Sequence, residues 1–338
     1  MRAVDQEVLG QLQQWLAAGK RSWLATVVAT WGSSPRPAGS LLACNADGQM
    51  SGSLSGGCVE DDLLEQLVAG QLAADQPTLF EYGVTAEETE RLGLPCGGQL
   101  SVFLEPLDPA RDATVATQID TIVTALAERR WLRRSVTVNN GNTSTHIAPA
   151  AGFEPLQWHA NPARLAQTFG PQQQLFIIGA GMVSQYLADM ALMLDFDVTV
   201  CDPREHLIRD FPNQSIRLVC DMPDDAVARY ASDASSAIVA LTHDPRIDDM
   251  GLMQALTTDA FYVGAMGSSR TSAARRQRLQ ALELSEAEID RLHAPIGLPI
   301  GSKTPPEIAV AILAEVIAVR KGAAASRNPA ALQGAAGA

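Results

Sequence analysis

Basic residues are scarce in this sequence: 25 Lys and Arg stand against 38 Asp and Glu, a formal net charge of −13. No clustered run of Lys and Arg occurs, and a chain without one cannot neutralise a phosphate backbone, which argues against a nucleic-acid surface. Long apolar runs are missing too. No stretch of 18 uncharged apolar residues exists, so no membrane-spanning helix is expected. The opening residues Met1-Arg2-Ala3-Val4-Asp5-Gln6-Glu7 lack the apolar core of a signal peptide, and a cytoplasmic protein is expected. Cysteine is sparse and odd in number, with Cys44, Cys58, Cys96, Cys201 and Cys220 widely spaced and no C-x-x-C pair. That pattern fits reduced thiols rather than a disulfide framework or a zinc site. Any chemical role falls to one thiol or to a pair brought together by folding. No internal repeat is present, and the one low-complexity segment is the Ala/Gly-rich tail over 321–338, expected to fray.

What the sequence does have describes a globular protein in two parts. With 338 residues the chain exceeds the size at which single cores stop growing, and 46% hydrophobic with 19% charged residues is an ordinary soluble composition. Most of the negative charge lies in residues 1–108, as a solvated surface or as a face for a basic partner. Periodicity there predicts a helix over 5–17, a strand over 23–30 and a Gly/Ser/Pro loop over 31–39. A strand over 40–44, a turn over 45–48, a helix over 59–73 and strands over 78–82 and 99–105 follow. Asp108-Pro109 marks a boundary, after which a helix over 113–129 and an Asn140-Gly141 hairpin form a connecting region. From residue 173 strands over 175–178, 198–201, 216–220, 237–241 and 261–264 alternate with helical segments. The expected fold class is α/β: a C-terminal Rossmann-like doubly wound parallel sheet over 171–320, joined to an N-terminal mixed α/β domain over 1–108 by the connecting region 109–170, with a flexible tail at 321–338.

Two groups of glycines carry the candidate chemistry. In Ile178-Gly179-Ala180-Gly181-Met182-Val183-Ser184 a strand enters a helix as in a dinucleotide-binding fingerprint. Gly179 permits the tight turn, Gly181 lets the backbone approach a pyrophosphate, and Ser184 stands where a third glycine packs helix on strand. Asp202 follows 23 residues after Gly179, where a ribose-binding acid belongs. Ligands of a doubly wound sheet sit outside the carboxyl ends of its strands. That rule adds His243, as proton carrier, ligand donor or merely loop-bonded, and the segment Gly264 to Arg270 with Gly267 and Ser268. Arg270, Arg275 and Arg276 form a second anion site or a solvated face.

In the first domain Ser53-Leu54-Ser55-Gly56-Gly57-Cys58-Val59-Glu60 opens the helix over 59–73. The helix dipole favours a thiolate at Cys58, suited to nucleophilicity or soft-metal ligation, while Glu60, Asp61 and Asp62 oppose it. Cys96 before Gly97 and Gly98 offers a second sulfur beside bare backbone, and Arg36, in a proline-stiffened loop, suits a pterin or phosphate oxygen. Each cysteine alone also reads as a small buried apolar residue.

Together these stretches resemble the XdhC/CoxI family, the molybdenum-cofactor chaperones of xanthine dehydrogenase and related hydroxylases. The resemblance runs through 31–37, 52–60, 82–84, 93–98, the Gly179 turn, 264–268, 294–301 and 304–309, and skips the middle region. It implies a non-catalytic, dimeric protein that binds molybdopterin, in its mononucleotide or cytosine dinucleotide form. The cofactor is protected while sulfur replaces an oxo ligand and is then inserted into an apo molybdenum hydroxylase of the xanthine dehydrogenase or aldehyde oxidase type. The implied partners are that hydroxylase, a cysteine desulfurase and a molybdenum-cofactor nucleotidyltransferase. On this reading Ser55, Gly56, Gly57, Cys96, Gly97 and Gly98 line the cofactor, and Cys58 meets its metal. The rivals are an NAD(P)-dependent oxidoreductase built on Gly179, Asp202 and His243, and a scaffold binding proteins through its acidic first domain.

Overall fold

The apolar alternation of one strand decides how the amino-terminal half is layered. Helix α1 spans Ala3–Ala17, strand β1 spans Ser22–Trp31, β2 Leu41–Asn45, β3 Met50–Gly52, helix α2 Glu60–Val68, β4 Thr78–Tyr82, β5 Gln99–Leu107 and α3 Thr114–Ala127. On β1, Leu24 joins a core with α1 and α3, while Trp23, Ala25 and Val27 face Leu63 and Leu67 of α2. The antiparallel sheet β3-β2-β1-β5-β4 is thereby covered on both sides. The computed structural model describes residues 3–31, 36–57, 59–83 and 99–322. It divides into two units, Met1–Pro171 and Gln172–Ala338.

The stretch read as a connecting region shares the core of the first unit, since Ile119 and Ile122 of α3 pack with Leu9 and Leu12 of α1. It also holds more strands than the sequence suggests. Strands β6 (Leu132–Asn139) and β7 (Asn142–Pro149) form the expected hairpin, with Asn140 and Gly141 both at positive φ as the Asn-Gly turn requires. β8 (Gln157–Ala160) and β9 (Ala163–Phe169) add a second hairpin, in the order β7-β6-β9-β8. Arg134 of β6 pairs with Glu105 of β5 through bonds of 2.9 and 2.8 Å, both side chains buried. The helix predicted over 59–73 ends at Val68, and Gly70 follows at φ +72°.

The second unit is a Rossmann-type domain. Its strands are β10 (Gln174–Ile178), β11 (Asp197–Cys201), β12 (Arg217–Val219), β13 (Ser236–Ala240), β14 (Tyr262–Ala265) and β15 (Leu292–His293). Helices α4 (Met182–Met193), α5 (Glu205–Arg209), α6 (Pro223–Tyr230), α7 (Pro245–Leu256), α8 (Ser269–Ala281), α9 (Glu286–Asp290) and α10 (Pro305–Arg320) connect or flank them. All pairings are parallel, in the order β12-β11-β10-β13-β14-β15. On β10, Leu175 and Ile177 pack with α4 and α10, while Phe176 and Ile178 pack with α6 and α7, so both faces are covered. No helix of the described residues is long and apolar enough to cross a membrane.

Candidate functional site

The strand order reverses between β10 and β13, and the crevice at their carboxyl ends is where such sheets bind ligands. Gly179 stands there at φ +107° and donates its N–H to the Cys201 carbonyl at 2.7 Å. A Cβ on it lies 2.8 Å from Thr242 Cγ2 and 3.0 Å from the Thr242 nitrogen. The glycine is therefore required by the close approach of two strand-end turns as well as by its dihedral. Gly179→Ala is expected to destabilise the second unit by about 2 kcal/mol, from left-handed strain plus the clash. Urea unfolding at the wild-type midpoint is the result against it.

Gly181 differs. It is exposed, extended at φ −91°, with nothing within 4 Å of a Cβ, and it begins α4 with no side-chain cap. The first-turn N–H groups of α4 have no carbonyl one turn before them, so the turn presents donors to open space and fits a phosphate group.

Asp202 is fully buried, and its carboxylate is closed within its own corner. Oδ1 accepts from the Arg204 N–H at 3.0 Å and Arg204 Nε at 2.8 Å; Oδ2 accepts from the Ala180 N–H at 2.9 Å and Arg204 Nη2 at 2.7 Å. Four donors hold the carboxylate in this corner, two of them from the Arg204 side chain. Burial opposes ionisation, but the bonds from Arg204 and Ala180 hold its pKa below the ordinary aspartate value. The 23-residue spacing identifies a structural acid that pins the glycine turn to β11.

Beyond the switch point a cleft of about 460 Å³ is lined by His243, Met266, Gly267, Ser268, Thr271 and Arg278, among others. His243 is exposed at φ +64°, and its ring makes no hydrogen bond to the described residues, so the loop-bonded alternative is not what the structure shows. Ser268 caps α8, accepting the Thr271 N–H at 3.2 Å, and a Cβ on Gly267 falls 2.5 Å from Thr271 Oγ1. Gly264 is buried inside β14, where a Cβ would meet Ile296 at 2.6 Å; it serves packing rather than the cleft. Met266 belongs to the segment that the sequence picks out, whereas Thr271 and Arg278, one and eight residues beyond it, are not singled out from sequence.

Behind the cleft lies a buried ion network. Arg275 donates to Asp249 Oδ1 at 2.9 Å, to Asp248 Oδ2 at 3.0 Å and to the Met266 carbonyl at 3.0 Å. Asp248 Oδ1 accepts from the Thr242 hydroxyl at 2.7 Å and the Thr242 N–H at 3.1 Å. The turns after β13 and β14 are thus wired through one arginine. Arg276 donates to the Ile289 and Leu292 carbonyls at 2.9 and 2.8 Å, fastening α9 and β15. Neither Arg275 nor Arg276 is the anion site or the solvated face that the sequence suggests.

In the first unit the loop before α2 wraps around Glu60. Its Oε1 accepts from Ser53 Oγ at 2.8 Å, the Leu54 and Ser55 N–H groups at 2.9 Å each and the Gly56 N–H at 3.3 Å. Oε2 accepts from Ser55 Oγ at 2.7 Å, the Gly57 N–H at 3.0 Å and the Val59 N–H at 3.2 Å. Positive φ at Gly56 (+91°) and Gly57 (+118°) turns these donors inward. Burial pushes the carboxyl up, but the donors from Ser55, Ser53 and Leu54 prevail and bring its pKa down to about 2. The loop N–H groups that the sequence offers to a cofactor are therefore occupied by the protein's own acid. Arg36 is half-buried in the loop before β2; Cys58, Cys96, Gly97 and Gly98 lie outside the described residues. No group of three or more His, Cys, Asp or Glu suited to a metal occurs among the described residues.

These features define a two-unit protein with a phosphate-ready Rossmann turn and a carboxylate-centred glycine loop. The XdhC Rossmann domain pattern matches residues 175–316, and that of the XdhC and CoxI family matches residues 15–83. The chain belongs to the XdhC/CoxI family. It is 27% identical over 322 residues to a probable xanthine dehydrogenase subunit of Bacillus subtilis, covering 88% of this chain and 93% of that one. It is also 27% identical over 309 residues to the molybdenum cofactor insertion chaperone PaoD of Escherichia coli, covering 90% and 85%. A crystal structure described as a xanthine dehydrogenase from Bacillus halodurans shares the fold, with a TM-score of 0.71 at 23% identity over 96% of this chain and 98% of that one.

Proposed function

We propose that this protein binds the molybdenum cofactor and inserts it into an apo hydroxylase of the xanthine dehydrogenase or aldehyde oxidase type. It shields the cofactor while sulfur replaces an oxo ligand. The observation that carries this reading is the pairing, at the Gly179 turn, of an exposed and uncapped helix start at Gly181 with an Asp202 turned onto Arg204 and Ala180. Such a turn suits the phosphate of a pterin cofactor. The relative named as an insertion chaperone, matched over most of both chains, supports the same role. When bound, the cofactor supplies the molybdenum and its exchangeable ligands; α4 of the second unit offers phosphate donors, and the sequence offers Cys58 as a soft-metal ligand. The cysteine desulfurase, a nucleotidyltransferase delivering the cytosine dinucleotide form, homodimer assembly and a cytoplasmic location belong to this proposal.

The test is metal and pterin analysis of protein purified from cofactor-producing cells, alongside protein from cells blocked in pterin synthesis. Molybdenum and pterin near one per chain in the first preparation, and neither in the second, is the expected result. Cys58→Ser is expected to reduce retained molybdenum severalfold while leaving the unfolding midpoint unchanged. Full-length protein carrying neither metal nor pterin under both conditions overturns the proposal.

A further inference from the structure

In a chain of net charge −13, no Asp or Glu among the described residues lines the cleft at the His243 turn. Its polar groups are donors that the protein leaves unspent. Arg278 gives Nε to Asp249 at 2.6 Å, while its two Nη groups make no hydrogen bond to the described residues. His243 is exposed and held in the left-handed region at φ +64°, its ring likewise without a hydrogen bond to the described residues. Such strain clusters at ligand-binding turns. Helix α8 adds the N–H groups of Ser269 and Arg270, which have no carbonyl one turn before them. A buried orphan lies beside them. Ser272 is 3% exposed, and its Oγ has no hydrogen-bond partner among the described residues. That oxygen lies 3.7 Å from the point where a Cβ on Gly267 would stand, so it faces the bare side of a residue that lines the cleft. A buried hydroxyl without a partner costs stability, and a ligand oxygen at Gly267 relieves it.

We propose that this cleft is a second phosphate site, separate from the Gly179 turn, and that it takes a phosphate monoester with an apolar body. The three free oxygens of a phosphoryl group match donors that come from α8, Arg278 and His243, where a carboxylate offers only two. Pro245, Met266 and Ala274 give the rest of the lining an apolar surface for the body of the ester. The sheet order keeps the two sites apart. Strand β13 lies between β10 and β14, so the starts of α4 and α8 are two strand spacings apart, roughly 10 Å. A pyrophosphate, whose phosphorus atoms share one oxygen, does not bridge that distance. The cleft stands without the cofactor-binding reading above, which concerns the turn at α4.

The experiment titrates the full chain, purified from cells blocked in pterin synthesis, with phenyl phosphate and with phenol in a calorimeter. Phenyl phosphate is expected to bind, inorganic phosphate to displace it, and phenol to give no binding heat. Ser268→Asp still caps α8 but sets a carboxylate on the same N–H groups, and is expected to weaken phenyl phosphate about tenfold or more, the size of a lost charge-assisted bond. His243→Gly removes the ring at a dihedral that glycine adopts freely, and is expected to weaken binding severalfold with the unfolding midpoint near wild type. No binding of phenyl phosphate to the wild type, phenol binding as tightly as phenyl phosphate, or wild-type affinity in both variants overturns the proposal. Where Ser268→Asp fails to fold, His243→Gly decides it. Failure of the cofactor reading looks different: neither molybdenum nor pterin in protein from cofactor-producing cells, with phenyl phosphate still bound at the cleft.

Discussion

Arg275→Ala is expected to lower the stability of the second unit by about 3–5 kcal/mol, the usual consequence of removing one partner from a buried ion pair. For a unit of this length that corresponds to a fall of roughly 6–20 °C in unfolding temperature. Arg275 is 5% exposed, and loss of its guanidinium leaves Asp248 fully buried with Thr242 as its remaining hydrogen-bond partner among the described residues. Asp249 keeps Arg278, at 2.6 Å, and suffers less. Burial already raises the Asp248 pKa above the ordinary aspartate value, against bonds from Thr242 and the charge of Arg275. Without that charge the pKa is expected to rise further. A group with a raised folded pKa loses its stabilisation as pH rises, so the deficit is expected to shrink as pH is lowered from neutral. Asp248→Asn in the Arg275→Ala background, which removes the stranded charge, is expected to recover part of the loss at neutral pH. An Arg275→Ala protein with the wild-type midpoint, or a deficit that grows on acidification, sinks the assignment. The functional consequence follows from the Met266 carbonyl, which the same guanidinium holds: both turns lining the cleft relax together.

That network also marks where sequence reading stops. Hydrophobic alternation made β10 legible because each of its residues is committed to one face of a doubly covered sheet. Asn140-Gly141 made the β6–β7 hairpin legible because few dipeptides accept positive φ twice. Strands β8 and β15 were not legible; four and two residues give no periodicity to count. Spacing located Asp202 at the end of β11 but could not tell that its carboxylate points back at Ala180 and Arg204 rather than out to a ligand. Arg275 and Arg276 sit among other polar residues in α8, and nothing in a row of arginines separates a buried one from a solvated one. In the sequence Glu60 is one of three acids opening a helix, a pattern that usually serves the helix dipole. Its seven donors among the described residues come from residues before the helix, a relation set by the turns at Gly56 and Gly57. The sequence marks the paired glycines as a place where backbone meets a ligand, but the anion their N–H groups surround belongs to the chain itself.

Acidification is expected to unfold both units through two carboxylates held far below their ordinary pKa. Glu315, fully buried in α10, accepts from Tyr262 Oη at 2.6 Å and the Gly297 N–H at 2.7 Å, with His293 Nδ1 at 3.1 Å. Burial raises its pKa, yet His293, Tyr262 and Gly297 outweigh burial and bring it from 4.5 to about 2. Glu60 falls from 4.5 to about 2 for the reasons given above. For a depressed pKa the stabilisation is present above the unfolded value and is lost as pH falls through the folded one, so the window runs from about 4.5 down to about 2. A shift of that size is worth on the order of 3 kcal/mol per group at neutral pH. Thermal unfolding followed from pH 7 to pH 2 should show Glu60→Gln and Glu315→Gln well below wild type at neutral pH, with the gap closing once the solution drops under about pH 4.5. The effects belong to different units, so the double variant is expected to show the sum of the two. A gap that stays constant down to pH 2 means that ionisation of these carboxylates does not hold the loop before α2 or the turn at Gly297, and the Glu60-centred loop and the anchoring of α10 lose their electrostatic basis.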